Sequence, residues 1–354
     1  MKRNIQLLSN RFINDNKPCI AQSREVRRIT NKVAAMIRDK ESLIRITHEQ
    51  CPLCNGEQVT VIAQKDRYGL HMETQICEKC ELVFSSKYFS ADFAEDYYAN
   101  YADEFKSLNQ SPKEMFERRT APEAYTWIRK NYIKEYLGNN YKKLQIVIEV
   151  GCNDGCNLYP YHLDGKKVVG CDFDEQRMDA GRNAGLNILS GGLDVLLHVG
   201  YKADLLILSH FLEHMVDIDQ VLKNVRELLS PNGLWYIEVP GILWHRNDLS
   251  KSTVEGYPKS DDILVYLQLE HNYCFELETL RKFACRNGFR MVAGDEVIRT
   301  LFVIDDQQKT STIIKNNKNS VLEFLQSVEK HYQQNNPYLK RILRHIYYTV
   351  KNVV

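Results

Sequence analysis

The chain has 354 residues, 44% hydrophobic and 26% charged, the profile of a soluble globular protein larger than one typical domain. Apolar runs such as "LLIL" are too short to span a bilayer, and "MKRNIQLLSNRF" lacks the apolar core of a signal peptide, so a cytoplasmic location is expected. The net charge of +1 is uneven: residues 1–48 carry +7 and residues 315–354 carry +5, which leaves the middle at −11 and argues against a nucleic-acid-binding body.

Residues 1–48 form a basic extension whose "REVRRITNKVAAMIRDK" places Val26, Ile29, Val33 and Ile37 on one helical stripe. Residues 49–95 follow, with Cys51-Pro-Leu-Cys54 and Cys77-Glu-Lys-Cys80 separated by 22 residues. A CxxC at a tight turn aims both sulfurs at one ion, and two such turns complete a tetrahedral thiolate site for zinc. Four thiolates leave no open coordination position, so this metal is expected to support folding. No basic stripe flanks these turns, so a nucleic-acid partner is not expected. Residues 96–140, "YYANYADEF" to "YTWIRKNYIKEYL", read as a helical connection or lid.

From residue 141 to 310 the texture becomes β-rich runs alternating with helices: "IVIEV", "KKVVGCDF", "ADLLILS", "LWYIEV", "FRMVAGDEVI" and "LFVID". The helix in "DIDQVLKNVRELLSPNG" puts Val221, Leu222, Val225, Leu228 and Leu229 on one face, with Pro231-Asn232-Gly233 as its stop. This is an α/β, mainly parallel sheet covered on both faces. The tail 311–354 carries an amphipathic helix, with Leu339, Ile342, Leu343, Ile346, Tyr347 and Val350 opposite a basic face. Docking on the body, a homodimer contact or a weak membrane-surface contact are its expected uses.

After "IVIEV" the loop Gly151-Cys-Asn-Asp-Gly155 permits a tight turn and close backbone approach to a ligand. Asp172 ends the next strand 23 residues after Glu149, where a carboxylate can accept from both hydroxyls of a ribose. No Gly-Lys-Ser/Thr follows the loop, and Asn153 stands at the second glycine of a dinucleotide fingerprint. A loop bearing Asp154 suits a cationic ligand better than a pyrophosphate. Cys152 and Cys156 line this loop and are not read as a metal or redox pair.

These motifs resemble the class I S-adenosylmethionine-dependent methyltransferases. "VIEVGCNDG", "GCDFD", "GGLDVL" and "ADLLILSHFLEHMVD" with "LSPNGLWYIEVP" occur in that superfamily's order, over residues 141–300. The resemblance implies a Rossmann-like, seven-stranded, mostly parallel sheet with a small N-terminal zinc subdomain and terminal helical extensions. It further implies that Glu149, Gly151, Asn153 and Gly155 surround the amino acid part of S-adenosylmethionine, while Asp172 holds the ribose. Phe173 would pack on the adenine, Leu193 and Asp194 at its edge, and Ser209 and His210 beside the sulfur.

The four-cysteine segment, "DRYG", "YYANY" and "LEHNYCFELETL" further resemble bacterial sugar methyltransferases of deoxysugar and surface-polysaccharide pathways. By that resemblance Tyr97 and Tyr101 close over cofactor or sugar. The deoxysugar pattern Tyr-x-Glu-His begins here with Gln268, so C- and O-methylation of a sugar nucleotide or glycan are both expected. Candidate bases are His210, Glu213, His214, Glu270 and His271; the last two follow an insertion, 242–268, suited to cap an acceptor. Alternatives are a zinc-containing RNA methyltransferase and a non-catalytic cofactor-binding protein.

Overall fold

A computed structural model describes residues 1–101, 111–243, 262–307 and 320–335. The tail helix read over 339–350 and most of the 242–268 insertion lie outside the described residues.

The main sheet has seven strands in the order Phe289–Gly294, Arg299–Ile304, Leu229–Glu238, Ala203–Ser209, Ile146–Val150, Lys167–Asp172, Asn187–Ser190. Arg299–Ile304 pairs antiparallel with both neighbours; the other pairings are parallel. Central strands such as "IVIEV" and "ADLLILS" read as continuous apolar runs because both faces are covered. On one face Leu222, Val225 and Leu228 pack with Trp235, Leu280 and Phe283; on the other Ile133, Tyr161 and Met178 pack with Val147 and Leu205.

The helix Ile218–Leu228 starts where the Asp217 side chain accepts from Gln220 N, and it ends before the predicted Pro-Asn-Gly stop. Leu229 already pairs with Ala203, and the register shift between Ala203 and Leu205 absorbs the intervening residues. A proline disfavours helical backbone in the residue before it, so Ser230 joins the strand.

A second sheet orders Lys2–Ile5, Gln58–Lys65, His71–Cys77, Val83–Ser85 and Tyr273–Cys274. The N-terminal extension therefore opens with a strand, parallel to Gln58–Lys65, before its helix Arg24–Ile44. The last strand, Tyr273–Cys274, comes from far along the chain and stitches this sheet to the main domain, with Ser85 N donating to Asn272 O at 2.9 Å. Ile29, Val33 and Ile37 bury their stripe against Tyr97, Tyr101 and Leu325, the last on the helix Ser320–Asn335. Part of the basic N-terminus pairs with the acidic middle and with the tail: Arg11 reaches Asp262 at 2.7 Å and Glu329 at 2.8 Å. No helix among the described residues is long and apolar enough to cross a membrane.

Candidate active site

The order of the main sheet reverses between Ala203–Ser209 and Ile146–Val150, and ligands of open α/β sheets bind at such a point, beyond the strand ends. Val150 is level with Leu208, so Gly151 and Ser209 leave the sheet side by side. Gly151 has φ +65°, and a Cβ there would lie 2.7 Å from the Phe211 ring. Asn153 takes φ +54°, a conformation asparagine tolerates better than most residues.

Asp172 holds the loop: its Oδ2 accepts from Asn153 N at 2.7 Å and its Oδ1 from Phe173 N at 2.8 Å. Phe173 is 78% exposed. A Cβ on Gly192 would meet that ring and Asp194 Oδ1, so these groups converge beside the strand end. Leu193 packs on the core at the start of the helix Leu193–Val199.

Two carboxylates of the loop differ. Asp154 is buried, but its Oδ2 meets Arg119 Nη1 at 3.0 Å and its Oδ1 accepts from Cys156 N. Its charge is thus matched within the chain. Glu149 is buried with Oε1 accepting from Asn157 Nδ2 at 2.7 Å, while Oε2 has no hydrogen bond. Burial pushes its carboxyl up to about 8, against the opposing pull of Asn157 and Arg129. Glu149 holds its proton more tightly folded than unfolded. Its contribution to stability is therefore full below the unfolded value near 4.5 and is lost as pH rises through about 8. Denaturant melts of Glu149→Gln are expected to abolish that part of the decline between pH 5 and 8, a change of order 1 kcal/mol per pH unit. An unchanged pH slope would assign the decline to other groups.

Cys152 packs against Gly170 in the apolar core and Cys156 sits in a turn ahead of the short helix Tyr159–Leu163. Neither approaches a metal geometry, and all ten cysteines are free.

Across the switch point His210 leaves its strand at φ +54°, its N–H donating to Glu238 O at 2.8 Å. Its ring nitrogens lie 3.4 Å from Glu213 Oε1 and 3.4 Å from Glu238 Oε1. Burial lowers its affinity for a proton, but the two carboxylates outweigh that and lift it to about 9. His210 is therefore a cation near neutral pH and not a ready base. Glu238 accepts two bonds from Arg129, at 2.9 and 2.8 Å, and one from Tyr236 Oη at 2.6 Å.

The remaining candidates converge. His214 Nδ1 donates to Glu270 O at 3.1 Å, and its ring stands edge-on to His271 with centroids 4.9 Å apart. Tyr97 Oη donates to Glu270 Oε2 at 3.4 Å. Asn272 fastens the group, its N–H donating to Glu213 O and its Nδ2 to His214 O. Tyr101 is buried beneath Lys32. Sequence reasoning missed Arg119, Arg129, Asn157, Glu238 and Asn272. Of these only Glu238 carries a signal, a carboxylate ending an apolar strand as Glu149 does.

The four cysteines of the N-terminal sheet meet as well. Cys51 and Cys80 Sγ are 3.5 Å apart, as are Cys54 and Cys77, and the four sulfurs lie within 4.8 Å of one another. The two turns repeat one pattern: Asn55 N donates to Cys51 O and Glu81 N to Cys77 O, with Asn55 and Glu81 both left-handed. A Cβ on Gly56 would press on two of the sulfurs.

Residues 148–235 match the family described as a methyltransferase domain. A ubiquinone biosynthesis O-methyltransferase of Chelativorans sp. (strain BNC1) is 27% identical over 100 residues, 26% of this chain and 38% of that protein. The C-methyltransferase NovU of Streptomyces niveus is 30% identical over 102 residues, 27% of this chain and 24% of that protein. The chain thus spans less than half the length of these curated relatives. The solved S-adenosylmethionine-dependent methyltransferase of Clostridium acetobutylicum ATCC 824 aligns with a TM-score of 0.40 at 12% identity, over 54% of this chain and 96% of that one. The part that is similar to a methyltransferase domain, residues 148–235, lies within the Rossmann-like, mostly parallel seven-stranded sheet.

Proposed function

We propose that the protein is an S-adenosylmethionine-dependent methyltransferase acting on a sugar, as a nucleotide sugar or within a glycan, with zinc in the four-cysteine site. The observation that carries the first half is the cradle at the switch point. Glu149 keeps a buried oxygen without a partner, Asp172 ends the neighbouring strand, and Phe173 offers an open ring beside Gly192. These groups fit, in order, a cationic amino acid end, a ribose and a purine.

S-adenosylmethionine supplies an electrophilic methyl carbon when bound. The chain's own work is to orient the acceptor, exclude water and remove a proton. We assign that work to Tyr97, Glu270 and His271, a reading supported by the contact of Tyr97 with Glu270. A hydroxyl-rich acceptor is supported by the N-terminal sheet. Asp66 Oδ2 and both side-chain polar atoms of Gln75 are buried without hydrogen bonds, so they hold unspent capacity for hydroxyls. Burial, and after it the nearby charge of Glu270, push Asp66 up to about 7. Sulfur contacts of 3.5 Å approach the edge of about 3.8 Å expected for four thiolates at about 2.3 Å from one zinc.

Calorimetry with S-adenosylmethionine tests the cofactor half. Saturable binding is expected, weakened about 10- to 150-fold in Asp172→Ala, the loss of a charge-assisted bonding pair. No binding to the native chain would reject the enzyme reading. Mass spectrometry of nucleotide sugars and glycans incubated with the protein and labelled cofactor tests the acceptor half, with a gain of one methyl group expected.

A further inference from the structure

We propose that the cleft between the second sheet and the main domain is a further carbohydrate-binding pocket, which takes a sugar residue adjoining the one that is methylated. It rests on the sugar acceptor proposed above and narrows that acceptor to a glycan, as against a nucleotide bearing a single sugar. The cleft encloses about 280 Å³, at the small end of small-molecule sites, which gives room for one ring rather than two.

One wall carries His48, Glu49 and Tyr88; the other carries Asp217, Tyr273 and Arg286. Both segments of the second wall continue from the candidate site. Asp217 comes three residues after His214 and Tyr273 two after His271. Tyr273 Oη donates to Val216 O at 2.8 Å, which keeps the two segments side by side. At no more than about 3.6 Å per residue, this wall begins within about 11 Å of both histidines.

Three features suit a sugar. The rings of His48 and Tyr88 pack together with centroids 4.8 Å apart. An aromatic face is electron-rich and attracts the weakly positive C–H groups on the apolar side of a sugar ring. Second, His48 Nε2 is buried without a hydrogen bond, which is costly until a ligand supplies one. Burial also lowers the affinity of this ring for a proton, to about 4. At neutral pH the imidazole is thus uncharged, with one nitrogen to donate and one to accept, and a hydroxyl can satisfy either. Third, Glu49 makes no hydrogen bond among the described residues, and Asp217 spends only Oδ1, on Gln220 N. Each wall therefore offers carboxylate oxygen to a hydroxyl, a charge-assisted bond.

Charge sets the class of ligand. Asp219, also in the lining, is paired with Arg286, which is held in turn by the carbonyls of Pro52 and Leu53. With His48 neutral, three carboxylates line the cleft against one guanidinium, a net of −2. That field repels the diphosphate of a nucleotide sugar and admits a neutral or amino sugar.

A glycan array probed with the fluorescently labelled full chain, without S-adenosylmethionine, tests the pocket. Retention on oligosaccharide spots is expected, weakened at least about 10-fold in Glu49→Gln and in Tyr88→Ala. Excess uridine diphosphate should leave retention unchanged. Calorimetry with S-adenosylmethionine should give both variants the native affinity, which reports that the fold persists. Should Tyr88→Ala fail to fold, Glu49→Gln decides, because Glu49 is exposed. No retention by the native chain, native retention in folded variants, or displacement by uridine diphosphate would overturn the pocket. Methyl transfer to a nucleotide sugar by a chain that retains no glycan rejects the pocket alone. Glycan retention without cofactor binding rejects the methyltransferase reading alone.

Discussion

Cys77→Ser is expected to unfold the N-terminal sheet, and chelation of the native protein is expected to do the same. Structural zinc in a four-thiolate site contributes on the order of 10 kcal/mol of folding free energy, comparable to the whole stability of a domain. The sheet cannot replace that from its own core. Cys51, Cys77 and Cys80 are themselves buried members of the cluster with Leu53, Val59, Leu82 and Phe84, so loss of the proposed zinc would leave crowded sulfurs where packing is needed. The damage should spread to the candidate site along identifiable contacts. Arg286 donates to the carbonyls of Pro52 and Leu53 and pairs with Asp219, tying the first cysteine turn to two helices of the main domain. Tyr273–Cys274 adds to the same sheet, and Asn272 just before it holds Glu213 and His214. Thermal melts with and without chelator, read by circular dichroism, decide the matter. A midpoint lowered by well over about 10 °C is expected, and a shift of a degree or two would show that the cysteines do not organise the sheet.

The parts of this design that were visible in the sequence are those with local spacing. The CxxC pairs, the glycine loop after "IVIEV" and Asp172 each declare themselves within a few residues. Six strands were legible as apolar runs; the seventh, Asn187–Ser190, was not, because a four-residue edge strand with one buried side chain has no periodicity to read. Tyr273–Cys274 is shorter still and exists only because Val83–Ser85 offers it a partner. The hidden site residues share one property, distance along the chain. Arg119 meets Asp154 from 35 residues away, and Arg129 meets Glu238 from 109. That is why Asp154 reads as a ligand group in the sequence while the fold gives its charge to an arginine. His210 likewise reads as a base until two carboxylates are set against it.

Arg129→Ala is the second substitution with a large expected effect, about 3–5 kcal/mol of lost stability. Glu238 is 2% exposed, and burial alone would favour its protonated form. Arg129 and His210 reverse this and hold its carboxyl far below the ordinary range. A carboxyl depressed in the folded state contributes stability at pH values above its unfolded value, so at neutral pH the full cost of removing the arginine falls on the native state. The same side chain links two parts of the site. Arg129 Nη1 donates to Asn157 Oδ1 at 3.1 Å, and Asn157 Nδ2 donates to Glu149 Oε1 at 2.7 Å. Removing Arg129 therefore loosens His210 on one side and the cradle carboxylate on the other. Weaker S-adenosylmethionine binding is expected together with the lost stability. The double variant Arg129→Met with Glu238→Gln separates charge from packing. It retains the volume, removes both ions and lets Tyr236 keep a hydrogen bond to the amide, so most of the lost stability should return. Urea melts of Arg129→Met, of Glu238→Gln and of their double variant measure this. A coupling energy above about 1 kcal/mol supports a charge pair that holds the site together, whereas simple additivity would show that Arg129 matters only as a packed side chain.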